Sequence, residues 1–551
     1  MSFVKSLAKP SSFLVLLVAF LAFIPALGSF GIMDPSDGLY AESAREMVDS
    51  GDYLTPSFNY SPFFEKPILI YWLIALSYRV FGISEFAARL PAAAAAIFTV
   101  GFLYLTIGSV VSRRAALFSC LVLISNALFA VIGHLALTDM PLTCLATVAA
   151  LSFFCATEND IDQLKRDVFL LISYCCLGLS CLLKGPIIII ITLFALFLNK
   201  LLLNKMVAGA AAESYFLYFL RLKPLLGCFL IFILDLPWFL AEHIATHGAF
   251  TREFFLRQNF GRFAGVVNHL EPWWFYLPYL AASFMPWMLF MPLVIPKLKS
   301  AWLTRMHSSN KIRLVIFCLS WTIVCVALFS AVATKLPPYI LPALPLASVL
   351  LGIALDRGCY SVKEREQSEI LIVNGAWSIG LISFLSSIIL LVAVASNQLV
   401  LPEAPGFIGS SVALAAASVC YALMRRSQPE SALVIFAWGL CLSSFFAVPA
   451  GLICYYRVKQ SDFKQLVIES RGSNLATFWR DTTAGVFYHR KKVTLVRTIS
   501  DLDLFLTTPG KPHLIIVTED LIPFLQLEMR DPNLKFLVRK GKFALFNLDK
   551  R

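Results

Sequence analysis

The chain has 551 residues, 58% of them hydrophobic and only 15% charged, with a formal net charge of +12. Soluble domains carry about a quarter charged residues; here the deficit is filled by apolar runs of about 20 residues, the length that crosses a hydrocarbon core. A soluble enzyme is excluded, and the chain reads as a polytopic α-helical membrane protein. The positive charge does not mark a nucleic-acid partner: no basic stripe with interleaved aromatics lies outside the apolar runs, and Lys and Arg collect in the cytoplasmic loops of such proteins. The 13 cysteines fall almost all inside the runs without a Cys-x-x-Cys pair, and read as small buried hydrophobes.

In chain order, Lys5 and Lys9 precede a first apolar run over about 12–31, long enough to be a retained helix rather than a cleaved leader. The segment from Met33 to Leu73 follows, rich in acids and aromatics. Pro35 and Ser36 suit a helix start and Gly51 its stop. Between them Tyr40, Ala44, Met47 and Val48 recur at helical spacing, which predicts an amphipathic helix lying on the membrane. Asp34 and Asp37 then sit at its N-terminus, where the helix dipole favours negative charge.

Segment 67–83 is long enough to span, but is read as a second surface helix. Only then do Arg113-Arg114, Lys165-Arg166 and Arg425-Arg426 all fall inside, as the positive-inside rule requires. Further runs at about 89–112, 115–133, 140–157, 168–183, 186–203, 224–241, 273–296, 313–334, 337–355, 370–397, 409–424 and 432–455 bring the total to about 13 transmembrane helices. The expected organisation is a transmembrane domain over 1–455, with a first outer loop at 32–88 and a large outer loop at 242–272. A C-terminal α/β domain over 456–551 follows, with strands at 514–517 and 543–546 and a helix at 519–529. The N-terminus is expected in the cytoplasm and the C-terminal domain outside.

Under this threading the isolated ionisable residues at span ends nearly all face outward: Asp34, Asp37, Glu65, Lys66, Asp139, Lys184, Lys335, and His243 and His247. Each has a plain structural reading. Asp139 suits a cap before Pro141, and Lys184 and Lys335 suit snorkelling flanks. Trp273-Trp274 suit an interfacial belt. His243 and His247, at i,i+4, with Glu65 as a third donor, form a candidate metal set, although two histidines alone make a weak signal. Together the lysines and aspartates describe a site that grips a phosphate and positions a base or a hard cation. The membrane location makes that phosphate a lipid's.

At these residues the chain resembles the GT-C glycosyltransferases that use polyprenyl-phosphate sugars, and most closely the bacterial aminoarabinose (lipid A) transferases, relatives of the protein O-mannosyltransferases. The resemblance rests on Tyr40-Ala41-Glu42, Arg45-Glu46-Met47, Gly51-Asp52, Pro56, Phe64-Glu65-Lys66-Pro67 and Tyr71-Trp72. Thr138-Asp139, Lys184-Gly185 and Lys335-Leu336-Pro337 with Tyr339-Ile340-Leu341-Pro342 reinforce it. It implies the GT-C fold and an inverting transfer of sugar from undecaprenyl phosphate to lipid A, another glycolipid or a protein, at the periplasmic face of a bacterial inner membrane. By position, Lys66 and Lys184 bind the carrier phosphate, Lys335 and Tyr339 line the same cavity, and Arg262 joins in stabilising the leaving phosphate. Asp139 matches a family acid. No cofactor is required; a divalent ion (zinc, magnesium or manganese) on Glu65 and a histidine is the candidate addition. The family has an Asp-Glu pair just before this tyrosine, whereas here the aligned pair is Ser36-Asp37, with Asp34 two residues earlier. The acceptor-activating acid is therefore Asp34 or Asp37. From a different class, a secondary transporter or lipid flippase stays open; Asp235, inside a run before Pro237, favours it, and the absence of repeated halves does not.

Overall fold

The computed structural model describes residues 10–158, 161–206, 214–261, 271–285, 287–288, 310–356, 404–424, 429–478, 482–509, 512–523, 525 and 534–548. The helices in chain order are α1 (Pro10–Phe23), α2 (Ser36–Ser50), α3 (Leu69–Phe81), α4 (Glu85–Val110), α5 (Arg113–Ile124), α6 (Ala127–Ile132), α7 (Asp139–Ala156), α8 (Gln163–Lys184), α9 (Ile187–Met206), α10 (Tyr215–Arg221) and α11 (Pro224–Ala245). A π-helical turn at Arg252–Phe260 precedes α12 (Tyr276–Ser283), α13 (Asn310–Ala331), a 3₁₀ segment at Pro337–Ala343, α14 (Leu344–Leu355), α15 (Ala404–Met424), α16 (Pro429–Glu469), α17 (Thr483–His489) and α18 (Ile499–Thr507). Among the described residues, eight helices are long and apolar enough to cross a membrane. The expected span at 370–397 lies outside the described residues, as do residues 289–296 of the one expected at 273–296.

The segment between α1 and α4 carries two short helices, α2 and α3. Helix α3 has 13 residues and so reaches only about 20 Å, short of a hydrocarbon core of about 30 Å. Helix α2 differs from the expected surface helix: ten of its 15 residues are buried, among them Asp37, Glu42, Arg45 and Glu46. It is sandwiched, not laid on lipid, because its polar face is met by protein. Arg45 forms a bidentate pair with Glu42 (2.7 and 2.6 Å) and also bonds Asp49 and the Tyr60 hydroxyl. Glu46 accepts from Ser57 Oγ at 2.8 Å and from the Tyr60 amide at 3.0 Å. These bonds hold a two-residue hairpin, β1 (Ser57–Phe58) and β2 (Ser61–Pro62), whose turn residues Asn59 and Tyr60 both take positive φ, as the twist of such hairpins demands.

The apolar run at 115–133 also breaks in two. Asn126 stops α5 and caps α6, accepting from the Phe129 amide at 3.0 Å.

After α16 the chain forms a five-stranded mixed sheet in the order β4-β3-β5-β7-β6, from β3 (Asn474–Phe478), β4 (Val493–Val496), β5 (His513–Thr518), β6 (Leu534–Lys540) and β7 (Phe543–Leu548). Strand β3 pairs in parallel with β4 and β5, while β7 is antiparallel to both β5 and β6. The central strand β5 is buried almost throughout, which is why it reads as a continuous apolar run instead of an alternation. Of the expected helix at 519–529, residues 519–521 form a 3₁₀ turn and 526–529 lie outside the described residues.

His489, the last residue of α17, is 2% exposed, and burial lowers its pKa from 6.5 to about 4. The folded imidazole stays neutral where the unfolded one would take a proton. Stability is therefore full above pH 6.5 and falls as the pH drops towards 4, by up to about 3 kcal/mol. Thermal melts at pH 7.5 and 4.5 should show this loss, and His489→Phe should flatten it.

Candidate active site

Helices α7 and α8 are antiparallel neighbours, so the first residue of one and the last of the other meet at one end of the bundle. There Lys184 Nζ lies 2.6 Å from Asp139 Oδ1 and 4.3 Å from the centre of the Tyr339 ring. Lys184 closes α8 because Gly185, at φ 80°, turns the chain at once towards α9, leaving the ammonium no polar loop in which to snorkel. Asp139 is the first residue of α7 and Thr138 the N-cap position; the carboxylate holds a lysine rather than a helix end. Tyr339 is delivered by the 3₁₀ segment, which Pro337, Pro338 and Pro342 keep out of α-helical geometry.

Tyr40 of α2 completes the mouth. Burial, together with Asp139 and Glu65, pushes its phenol well above the usual range. Its ring stands 5.9 Å from that of Tyr71, which Glu65 also faces. Six residues from five separate segments thus converge: Tyr40, Glu65, Tyr71, Asp139, Lys184 and Tyr339. Lys66, next to Glu65, is 8% exposed and donates to the Glu65 carbonyl at 3.1 Å. In chemical terms the cluster gathers lysine charge, two carboxylates and phenol rings at one end of the bundle, groups that can grip and orient a phosphate.

Other expected residues sit elsewhere. Lys335 is 3% exposed and donates to the Glu271 carbonyl at 2.8 Å, tying down the end of the large loop. Arg262 lies outside the described residues.

Asp37 is not poised over the mouth. Its carboxylate is taken by Arg89 (2.6 Å), the Met33 amide (3.0 Å) and the Ala136 amide (2.7 Å), with both charged side chains sealed from solvent. Asp34 is likewise taken, by Thr483 Oγ1 (2.9 Å), the Ala484 amide (2.7 Å) and Thr482 Oγ1 (3.2 Å) of the C-terminal domain. Both carboxylates are therefore already engaged by donors from neighbouring segments.

The metal set does not assemble either. Among the described residues no three His, Cys, Asp or Glu side chains gather around one point. Helix α11 ends at Ala245 and His247 takes φ 50°, so the i,i+4 register of the two histidines is lost. His243 bonds Thr251 Oγ1 at 2.8 Å.

Sequence reasoning missed Arg89. It is fully buried, donates to the carbonyls of Leu27, Phe30 and Gly31 at 2.9, 2.8 and 2.7 Å, and stacks 3.9 Å from the Phe30 ring. An arginine within the first turns of an apolar span was the available signal.

A many-helix membrane bundle with its ionisable cluster at one end and a mixed α/β domain beyond defines the class: this is the GT-C glycosyltransferase fold. The ArnT of Cupriavidus metallidurans, solved bound to undecaprenyl phosphate, superposes with a TM-score of 0.76 at 22% identity over 97% of each chain. An archaeal oligosaccharyltransferase from Archaeoglobus fulgidus follows at 0.50, with 10% identity over 93% of this chain and 69% of that one. Residues 65–232 match the family model described as dolichyl-phosphate-mannose-protein mannosyltransferase. The undecaprenyl phosphate-α-4-amino-4-deoxy-L-arabinose arabinosyl transferase of Pseudomonas aeruginosa LESB58 is 32% identical over 62% of this chain, and the chain spans 59% of that relative's length. The enzyme of the same name from Pseudomonas paraeruginosa is 27% identical over 95% of this chain and 92% of its own. In fold and in sequence the chain is similar to these aminoarabinose transferases.

Proposed function

We propose that the chain is an inverting glycosyltransferase that moves a sugar from an undecaprenyl-phosphate-linked donor to lipid A or a related glycolipid, with protein a lesser acceptor. The observation that carries this reading is the Lys184–Asp139 pair, held against Tyr339 at one end of the bundle. The names of the relatives and the carrier bound by the ArnT of Cupriavidus metallidurans support it. The site faces the periplasm of a bacterial inner membrane, with the N-terminus cytoplasmic. The short α3 supports this orientation, because a spanning α3 would reverse every later loop. Residues 1–455 form the transferase domain and 456–551 a periplasmic domain.

The acceptor attacks the anomeric carbon from the face opposite the phosphate. Lys184 and Lys66, joined by Arg262, take up the charge that grows on the leaving phosphate, an interaction stronger in the transition state than in the ground state; Lys335 ties down the end of the large loop. With Asp34 and Asp37 engaged by neighbouring segments, Asp139 holds Lys184 in place and Glu65 is the acid left to orient the acceptor. A phosphate acceptor arrives already ionised and needs no base, and the displacement needs no cofactor.

The test is reconstitution in liposomes with radiolabelled undecaprenyl-phosphate sugar and lipid A. Label moving onto lipid A is expected. Label crossing the bilayer on its original carrier, with none transferred, would make the protein a transporter.

A further inference from the structure

We propose that the C-terminal domain is a clamp that sets the position of α2, and so of Tyr40, and that Asp34 is its principal positioning residue. The inference rests on the transferase reading and deepens it, since it concerns the same mouth.

The domain grips the chain just before α2 at successive residues. The Ile32 amide donates to the Tyr488 hydroxyl at 2.6 Å, and that hydroxyl in turn donates to Glu85 at 3.0 Å. The Asp34 amide donates to Gln460 Oε1 of α16 at 3.2 Å. The Asp34 carboxylate takes the Ala484 amide and the Thr482 and Thr483 hydroxyls at the start of α17. Helix α17 then crosses α2 at Gly38, so closely that a Cβ there would lie 2.3 Å from Thr483 Oγ1 and 2.8 Å from the Ala484 amide. At the far end of α2, Asn59 exchanges two bonds with the backbone of Val493 (2.9 and 3.0 Å), and Tyr60, itself held by Arg45 of α2, donates to the Arg490 carbonyl at 3.0 Å.

The grip continues into the mouth. Three residues beyond Asp34, Asp37 accepts from the Ala136 amide at 2.7 Å, fixing the turn that carries Thr138 and Asp139. One helical turn further on stands Tyr40, its ring 5.9 Å from that of Tyr71. The chain of contacts from α17 to Asp139 therefore runs through consecutive turns of one buried helix. A loop at the membrane surface would otherwise open locally at little cost, and Tyr40 would leave the mouth with it.

The experiment compares Asp34→Ala, Asp34→Asn and Gly38→Ala with wild type in the liposome assay, alongside amide hydrogen exchange of the full-length protein in detergent. Asp34→Ala and Gly38→Ala should each lower kcat tenfold or more, with donor KM changed less than threefold and the pH profile unmoved. Asparagine keeps an acceptor oxygen for the Ala484 amide, so Asp34→Asn should restore most of what alanine loses. Exchange should quicken across 36–50 and 483–489 in the alanine variants and return towards wild type in Asp34→Asn. Equal loss in Asp34→Asn and Asp34→Ala with unchanged exchange would make the carboxylate a base and overturn the clamp; so would full activity in both alanine variants. If Asp34→Ala does not fold, Gly38→Ala and Asp34→Asn decide alone, since neither removes every bond of the grip. A wild-type protein that transfers no sugar would sink the transferase reading and leave the exchange result standing.

Discussion

Replacing Lys184 by methionine should lower kcat/KM for sugar transfer by about 10²–10³-fold, roughly 3–4 kcal/mol of transition-state stabilisation. The ammonium is held between a carboxylate 2.6 Å away and an aromatic face 4.3 Å away, in a mouth whose surrounding residues are mostly buried. There a fixed charge acts with little solvent screening and needs no reorganisation when the phosphate departs. Asp139→Asn should cost less, because it loosens the lysine without removing it. Added to Lys184→Met, it should cost little further, since the two side chains act as a unit. Steady-state kinetics on the two single variants and the double variant check this. Additive losses would mean that Asp139 acts on the acceptor independently of Lys184.

Replacing Arg89 by leucine should destabilise the fold by about 3–5 kcal/mol, the range for breaking a buried pair and leaving one charge alone. Asp37 would remain 3% exposed with no cation beside it, and three carbonyls would lose their donor. The yield of monodisperse protein and the melting temperature should both fall sharply. Adding Asp37→Leu should recover only part of the loss. Removing the stranded charge helps, but the Met33 and Ala136 amides then have no acceptor. Full recovery would show that those two bonds contribute nothing, and with them the link from α2 to the Asp139 turn.

Much of the fold was legible because bilayer physics writes directly into sequence. A hydrocarbon core requires long apolar runs, and most of those expected within the described residues return as helices with ends shifted by a few residues. That Lys184 and Asp139 would gather at one end of the bundle was legible for the same reason: ionisable groups at membrane depth are costly and seek one another. The partners of Asp34 and Asp37 were not legible, because a carboxylate at a helix N-terminus looks alike whether it faces a cavity or another segment. The partners that decide between the two, Arg89 and Ala136 for Asp37, Thr483 and Ala484 for Asp34, are 52 to 450 residues away. The histidine pair failed more locally. Helical spacing placed His243 and His247 on one face, but the helix ends between them.

By itself, then, the sequence determined that this is a polytopic bundle with a charged mouth at one end, since apolar length and the cost of burying charge are local properties of the chain. Which acids line that mouth, and that the C-terminal domain bolts α2 beside it, only the tertiary structure decided. A carboxylate's role depends on which donors reach it first, and those donors are brought there by folding.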